Sequence, residues 1–92
     1  MITITVVGGT GTYTADFGNA SYEAISLLGP DSTPMYDLSI LNEAGILLIG
    51  ANDIDAQRTK ISENFQLIGL CSIQISSAVD DGTYYVHLFQ RQ

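Results

Sequence analysis

An all-β domain is what the sequence predicts, either a small antiparallel β-sandwich or a partly open barrel of about seven to eight short strands. Three observations carry it. Apolar residues recur at alternate positions through most of the chain, turn residues interrupt them about every 8–12 residues, and no window shows the 3.6-residue apolar spacing of an amphipathic helix. The resulting expectation is at least about 40% strand and no helix longer than two turns. Ninety-two residues make one domain, spanning 1–92. With 46% hydrophobic and only 14% charged residues, the chain has the composition of a folded core and not of a disordered segment.

The elements follow in order. Met1–Val7 alternates Ile2, Ile4 and Val6 against Thr3 and Thr5, the period of a half-buried strand. Gly8-Gly9-Thr10-Gly11 breaks it, and Thr12–Phe17 resumes with Tyr13, Ala15 and Phe17 inward, which predicts a hairpin through the glycine turn. Gly18-Asn19 ends that strand, and Ser21–Leu28 forms the next, up to the loop Gly29-Pro30-Asp31-Ser32-Thr33-Pro34. Met35–Asn42 sets Tyr36, Leu38 and Ile40 against Asp37 and Ser39, and Asn42-Glu43-Ala44-Gly45 has the residues of a tight turn. Four consecutive apolar residues, Ile46–Ile49, read as a return strand covered on both sides.

Gly50–Asn64 is polar, carries every basic residue except Arg91, and reads as a long loop or one with a short helical turn. Phe65–Leu70 and Cys71–Ser77 return to the β pattern, with Cys71, Ile73 and Ile75 on one face. Asp80-Asp81-Gly82 turns the chain into the closing strand, Thr83–Phe89. That strand sets Tyr84, Val86 and Leu88 against Thr83, Tyr85, His87 and Phe89.

Charge and cysteine content narrow the function. Ten acidic residues against three basic ones give a net charge of −7, a field that repels phosphate, so neither nucleic acid nor an anionic membrane is expected as a partner. The lone Cys71 forms no intramolecular disulfide and alternates with isoleucines as a small buried hydrophobe. From Met1 onward there is no basic region followed by an apolar stretch, and no apolar run nears the roughly 18 residues of a membrane helix. The expectation is synthesis in the cytoplasm without a signal peptide.

No constellation in the chain points to catalysis. Gly8-Gly9-Thr10-Gly11 lacks the Gly-Lys-Ser/Thr of a phosphate loop, and His87 has no second histidine with which to build a zinc site. A Cys71–His87 pair lacks an orienting third group, and paired carboxylates need a deeper groove than so small a sandwich affords. Asn52, Asp53 and Asp55 alternate as oxygen ligands do at the start of a calcium loop, and Asp80-Asp81 adds two carboxylates. Neither segment has the glycine and terminal glutamate of that loop, so both read as solvated acidic loops. No cofactor, metal or enzymatic activity is expected.

Asp80-Asp81-Gly82-Thr83-Tyr84-Tyr85-Val86 resembles the Asp-x-Gly-x-Tyr-x-Cys corner of immunoglobulin-like sandwiches, with Val86 where the cysteine would stand. The resemblance implies an Ig-like sandwich in which Tyr84 ties its strand to the Ala78–Asp81 turn. The Thr/Gly-rich Ile2–Phe17, the Tyr36–Gly45 segment YDLSILNEAG and the closing Asp81–Val86 strand together resemble small β-sandwich virion proteins of tailed bacteriophages, capsid decoration (cement) and head-fibre base proteins among them. This likeness implies a non-catalytic, homo-oligomeric protein of the virion that binds the major capsid protein or other virion subunits and stabilises the assembled shell. A small carbohydrate-binding or adhesion module is the alternative, with exposed aromatics stacking on sugar rings. Ile2, Ile4 and Val6 of an uncharged first strand and Tyr85, His87 and Phe89 of the last are the candidate interface residues.

Overall fold

In a computed structural model the described residues are 1–30, 35–55 and 58–91. They form six strands and no helix: β1 (Ile2–Val6), β2 (Gly11–Leu28), β3 (Tyr36–Asn42), β4 (Leu47–Ile54), β5 (Arg58–Ser76) and β6 (Gly82–Gln90). All pairings are antiparallel, in the order β1-β6-β2-β5-β3-β4. The all-β antiparallel class holds. The strand count is lower than expected because two of the strands are long, 18 residues in β2 and 19 in β5.

Those long strands explain how one sheet makes two layers. At about 3.3 Å per residue β2 would reach roughly 60 Å if straight, yet the longest dimension of the molecule is 34 Å. It therefore bends. The β2/β5 register shifts between Asp16 and Asn19 and again between Tyr22 and Ala24, the signature of β-bulges, which sharpen twist and turn strands through corners. Gly18 and Gly69 sit at the first shift with φ of 67° and 68°, a region open to glycine at little cost. The Asp16 carboxylate accepts the Gly18 amide at 2.9 Å and fixes the bend. Gly18-Asn19 is thus a corner within a strand and not the end of one, and Phe65–Leu70 runs on into Cys71–Ser76 for the same reason.

Beyond the corner each long strand joins a different layer. The second half of β2 lies between β6 and the start of β5, with β1 outside β6, whereas the first half of β2 pairs with the end of β5, followed by β3 and β4. The two layers share one core. Ile4, Val6, Ile25, Leu27, Tyr84 and Val86 of the first meet Tyr36, Leu38, Ile40, Ile49, Cys71, Ile73 and Ile75 of the second. The Tyr36 and Tyr84 rings touch edge to face at 5.1 Å.

Several local expectations change. Met1–Val7 and Thr12–Phe17 do not form a hairpin: only Val7 and Thr10 bridge, while β1 pairs with β6 and β2 with β5. β1 instead crosses close over the start of β2, where a Cβ on Gly11 would collide with the Thr5 carbonyl oxygen. Tyr13 is exposed, although Ala15 and Phe17 are half-buried as expected. Ile46–Ile49 is not covered on both sides, because only one face of its layer packs on the core; Ile46, Leu47 and Leu48 are 61%, 57% and 38% exposed and only Ile49 is buried. In the Gly50–Asn64 segment, the described residues are mostly strand, the end of β4 and the start of β5, and residues 56–57 lie outside the described residues. Of the loop expected after Leu28, residues 31–34 also lie outside them.

Two turns match their sequences. Asn42 Oδ1 accepts the amides of Ala44 and Ile46, each at 2.9 Å, and Gly45 takes φ of 81°. The Tyr84 hydroxyl, buried, donates to the Asp80 carbonyl at 2.9 Å, the corner that the sequence implies.

Candidate binding face

Residue parity decides what the outer side of the first layer displays. Ile25 and Leu27 of β2 point into the core, so Ser26 and Leu28 point out. Registers then align two rows across the sheet: His87, Ser26 and Lys60, and Tyr85, Leu28 and Arg58. A third row brings Phe89 beside Ala24 and Ser62. An aromatic or imidazole side chain from β6 thus faces a cation from β5 across the middle strand in two of the three rows.

Ring contacts order this surface. His87 meets Phe89 edge to face at 4.5 Å, and Lys60 Nζ stands 4.8 Å from the Phe89 ring centre, a cation–π distance. Phe89 is half-buried, while Tyr85 and His87 are exposed. Met1, Ser26, Leu28, Arg58, Tyr85 and His87 line a shallow depression of about 240 Å³. A wider one of about 410 Å³ adjoins Lys60 and Phe89, with Glu23 and Glu63 at its rim.

The candidate interface residues divide. Tyr85, His87 and Phe89 lie together on this outer face. Ile4 and Val6 are fully buried and Ile2 half-buried against the core, so the side chains that β1 offers to solvent are those of Thr3 and Thr5, with Met1 and Val7 exposed at its two ends. β1 nevertheless ends the sheet, as does β4, which leaves one side of each strand's backbone without a strand partner among the described residues. Arg58 and Lys60 escaped the sequence reading because their segment looked like a loop. The alternation Arg58-Thr59-Lys60-Ile61, charged out and uncharged in, was the available signal.

The acidic candidates lie elsewhere. Asp53, with φ of 54°, donates its amide to Asp37 Oδ1 at 2.9 Å. Asp81 Oδ1 accepts the Gly9 amide at 3.3 Å. Among the described residues no three His, Cys, Asp or Glu side chains group as a metal site. Cys71 is buried in the core and His87 exposed on the outer face, so the sheet separates them.

Tyr36 places a polar group inside the core. Its hydroxyl is buried and has no hydrogen-bond partner among the described residues. Burial, and secondarily the neighbouring Tyr84, pushes its pKa up to about 12.

No protein-family model matches the chain, and no curated protein matches it. Among solved structures it is similar to a family 35 carbohydrate binding module from an environmental isolate, at 12% identity and a TM-score of 0.45, over 90% of this chain and 68% of that one. At that score the likeness carries no argument about what this chain binds.

Proposed function

We propose that the chain is a non-catalytic structural subunit that assembles through its open sheet edges, in the manner of a phage capsid decoration protein bridging neighbouring shell subunits. The observation that carries this reading is the pair of unprotected edges. β1 has no charged residue or proline, and β4 exposes Leu47 and Leu48 at its start, with exposed Ile46 just before it and the acidic residues Asp53 and Asp55 at or beyond its far end. A sheet edge left uncharged, as at β1, or apolar, as at the start of β4, is a template for another strand, and isolated monomers ordinarily block such edges with lysine, proline or a covering loop. An assembled subunit has no need to.

Light scattering on the eluting protein tests this, followed by co-sedimentation with purified phage shells. Wild type should elute as an oligomer or sediment with shells, and Leu47→Lys/Leu48→Lys should lose that behaviour with an unchanged circular dichroism spectrum. A wild-type protein that stays monomeric and binds no shell overturns the proposal. One observation favours a carbohydrate-binding module as a second reading: Tyr85 is an exposed ring beside the hydroxyl of Ser26 and the depression it lines. Retention on a glycan array without assembly would support it.

A further inference from the structure

We propose that the outer face of the first layer is a binding site for an extended acidic polypeptide segment, one carboxylate resting on Arg58 and the next same-side carboxylate on Lys60. The site is separate from the sheet edges, so it stands whether or not the chain assembles through them.

The chain has ten acidic residues and only three basic ones, so every cation has an excess of internal carboxylates with which to pair. Yet no carboxylate forms an ion pair with Arg58 or Lys60 among the described residues, and both are exposed on one face. Two scarce cations left without an ion-pair partner on one face form a strip of local positive potential on an otherwise negative surface, strongest at Arg58, whose depression has no carboxylate in its lining.

Arg58 and Lys60 are alternate residues of β5, so their side chains project from the same face about 6.8 Å apart along the strand. Alternate side chains of any extended peptide repeat at that same distance. A segment with Asp or Glu at every second position, lying along β5, therefore matches both cations at once. Arg58 supplies a fork of donors suited to a carboxylate. Met1 and Leu28 give the same depression aliphatic walls, and Ser26 and Tyr85 give it hydroxyls for the rest of the ligand.

Other anions fit less well. A densely charged polymer such as a nucleic acid or polyphosphate meets the repulsion of the whole −7 chain, whereas two carboxylates on a peptide meet mainly the local patch. Sugar stacking is hindered at Phe89, whose ring Lys60 already caps. Glu23 and Glu63 at the rim near Lys60 make it the weaker cation and Arg58 the main anchor.

Fluorescence anisotropy with a rhodamine-labelled peptide of alternating Asp and Thr, in about 0.15 M salt where the Debye length is about 8 Å, tests the site. The acidic peptide should bind at least about tenfold tighter than its Asn-for-Asp counterpart. Arg58→Gln should weaken it about tenfold and Lys60→Gln about threefold, with the circular dichroism spectrum unchanged. Thr12→Gln, an exposed strand position in the other layer, should leave binding alone. Absence of peptide binding, equal binding of the Asn peptide, unaltered affinity in Arg58→Gln, or tighter binding of polyphosphate or a neutral oligosaccharide would each overturn the proposal.

Discussion

Two tyrosines share the centre of the core and make opposite predictions when each loses only its hydroxyl. In Tyr84→Phe the ring remains against Tyr36, and what disappears is the 2.9 Å bond to the Asp80 carbonyl. A net hydrogen bond contributes about 0.5–1.5 kcal/mol, and an orphaned acceptor costs about 1–3 kcal/mol if it stays dry. Asp80 is half-buried, so water restores part of what its carbonyl loses, and the expected cost is about 1–1.5 kcal/mol. An unfolding entropy of roughly 2.1 cal/mol/K per residue makes this a fall in Tm of about 5–8 °C for a chain of this length. In Tyr36→Phe the deleted hydroxyl is buried without a partner among the described residues, so its removal relieves a desolvation penalty. The Tm should hold or rise by a few degrees. Differential scanning calorimetry at neutral pH reads both variants. If Tyr84→Phe melts with wild type, or Tyr36→Phe falls as far as Tyr84→Phe, the assignment of one satisfied and one unsatisfied hydroxyl is wrong.

Alkaline titration probes the same pair. With its folded pKa raised to about 12, Tyr36 favours the native state while protonated. Its unfolded pKa is near 10, so the native state is unaffected by this group below pH 10 and loses stability relative to the unfolded chain as pH climbs from 10 toward 12. Urea melts between about pH 8 and 11.5 should show wild type losing stability across the upper part of that range, and Tyr36→Phe losing less. At the crossing of β1 over β2, Gly11→Ala puts a methyl group against the Thr5 backbone, which cannot rotate away as a side chain can. A loss of about 3 kcal/mol in chemical denaturation is expected, and a loss under about 1 kcal/mol would show that β1 can lift freely.

What could be read from the residues depended on how local the determining interaction is. Asn42–Gly45 and the Tyr84 corner are settled by groups within about four residues of one another, and both were legible. So was the inward set Tyr36, Leu38 and Ile40, because the strand alternates cleanly. Gly18-Asn19 was misread because glycine at positive φ serves a turn and a bulge alike, and only the partner strand decides between them. Ile46–Leu48 was misread because an apolar run implies cover without saying whether the fold supplies it. The first strand's partner lies more than 75 residues away, Ile2 opposite Val86, which no local pattern encodes. The aromatic half of the candidate face was visible as one side of the last strand, but its cationic half emerged only when β5 was seen to begin at Arg58.

The bent strands β2 and β5 have a kinetic consequence. Each contributes backbone to both layers, so neither layer has a full complement of strands without the other, and the chain has no smaller part able to fold ahead of the rest. Their ladder joins residues from 30 apart, at Leu28 and Arg58, to 64 apart, at Gly11 and Ile75. Closing such large loops costs entropy before any contact repays it, the hallmark of high contact order. The 19 residues of β5 must therefore be available before the spine can form, and refolding belongs in the millisecond-to-second range typical of all-β domains. During that interval the apolar edges have no partner of their own, which makes dilute, slow refolding preferable to rapid concentration whenever the protein is recovered from denaturant.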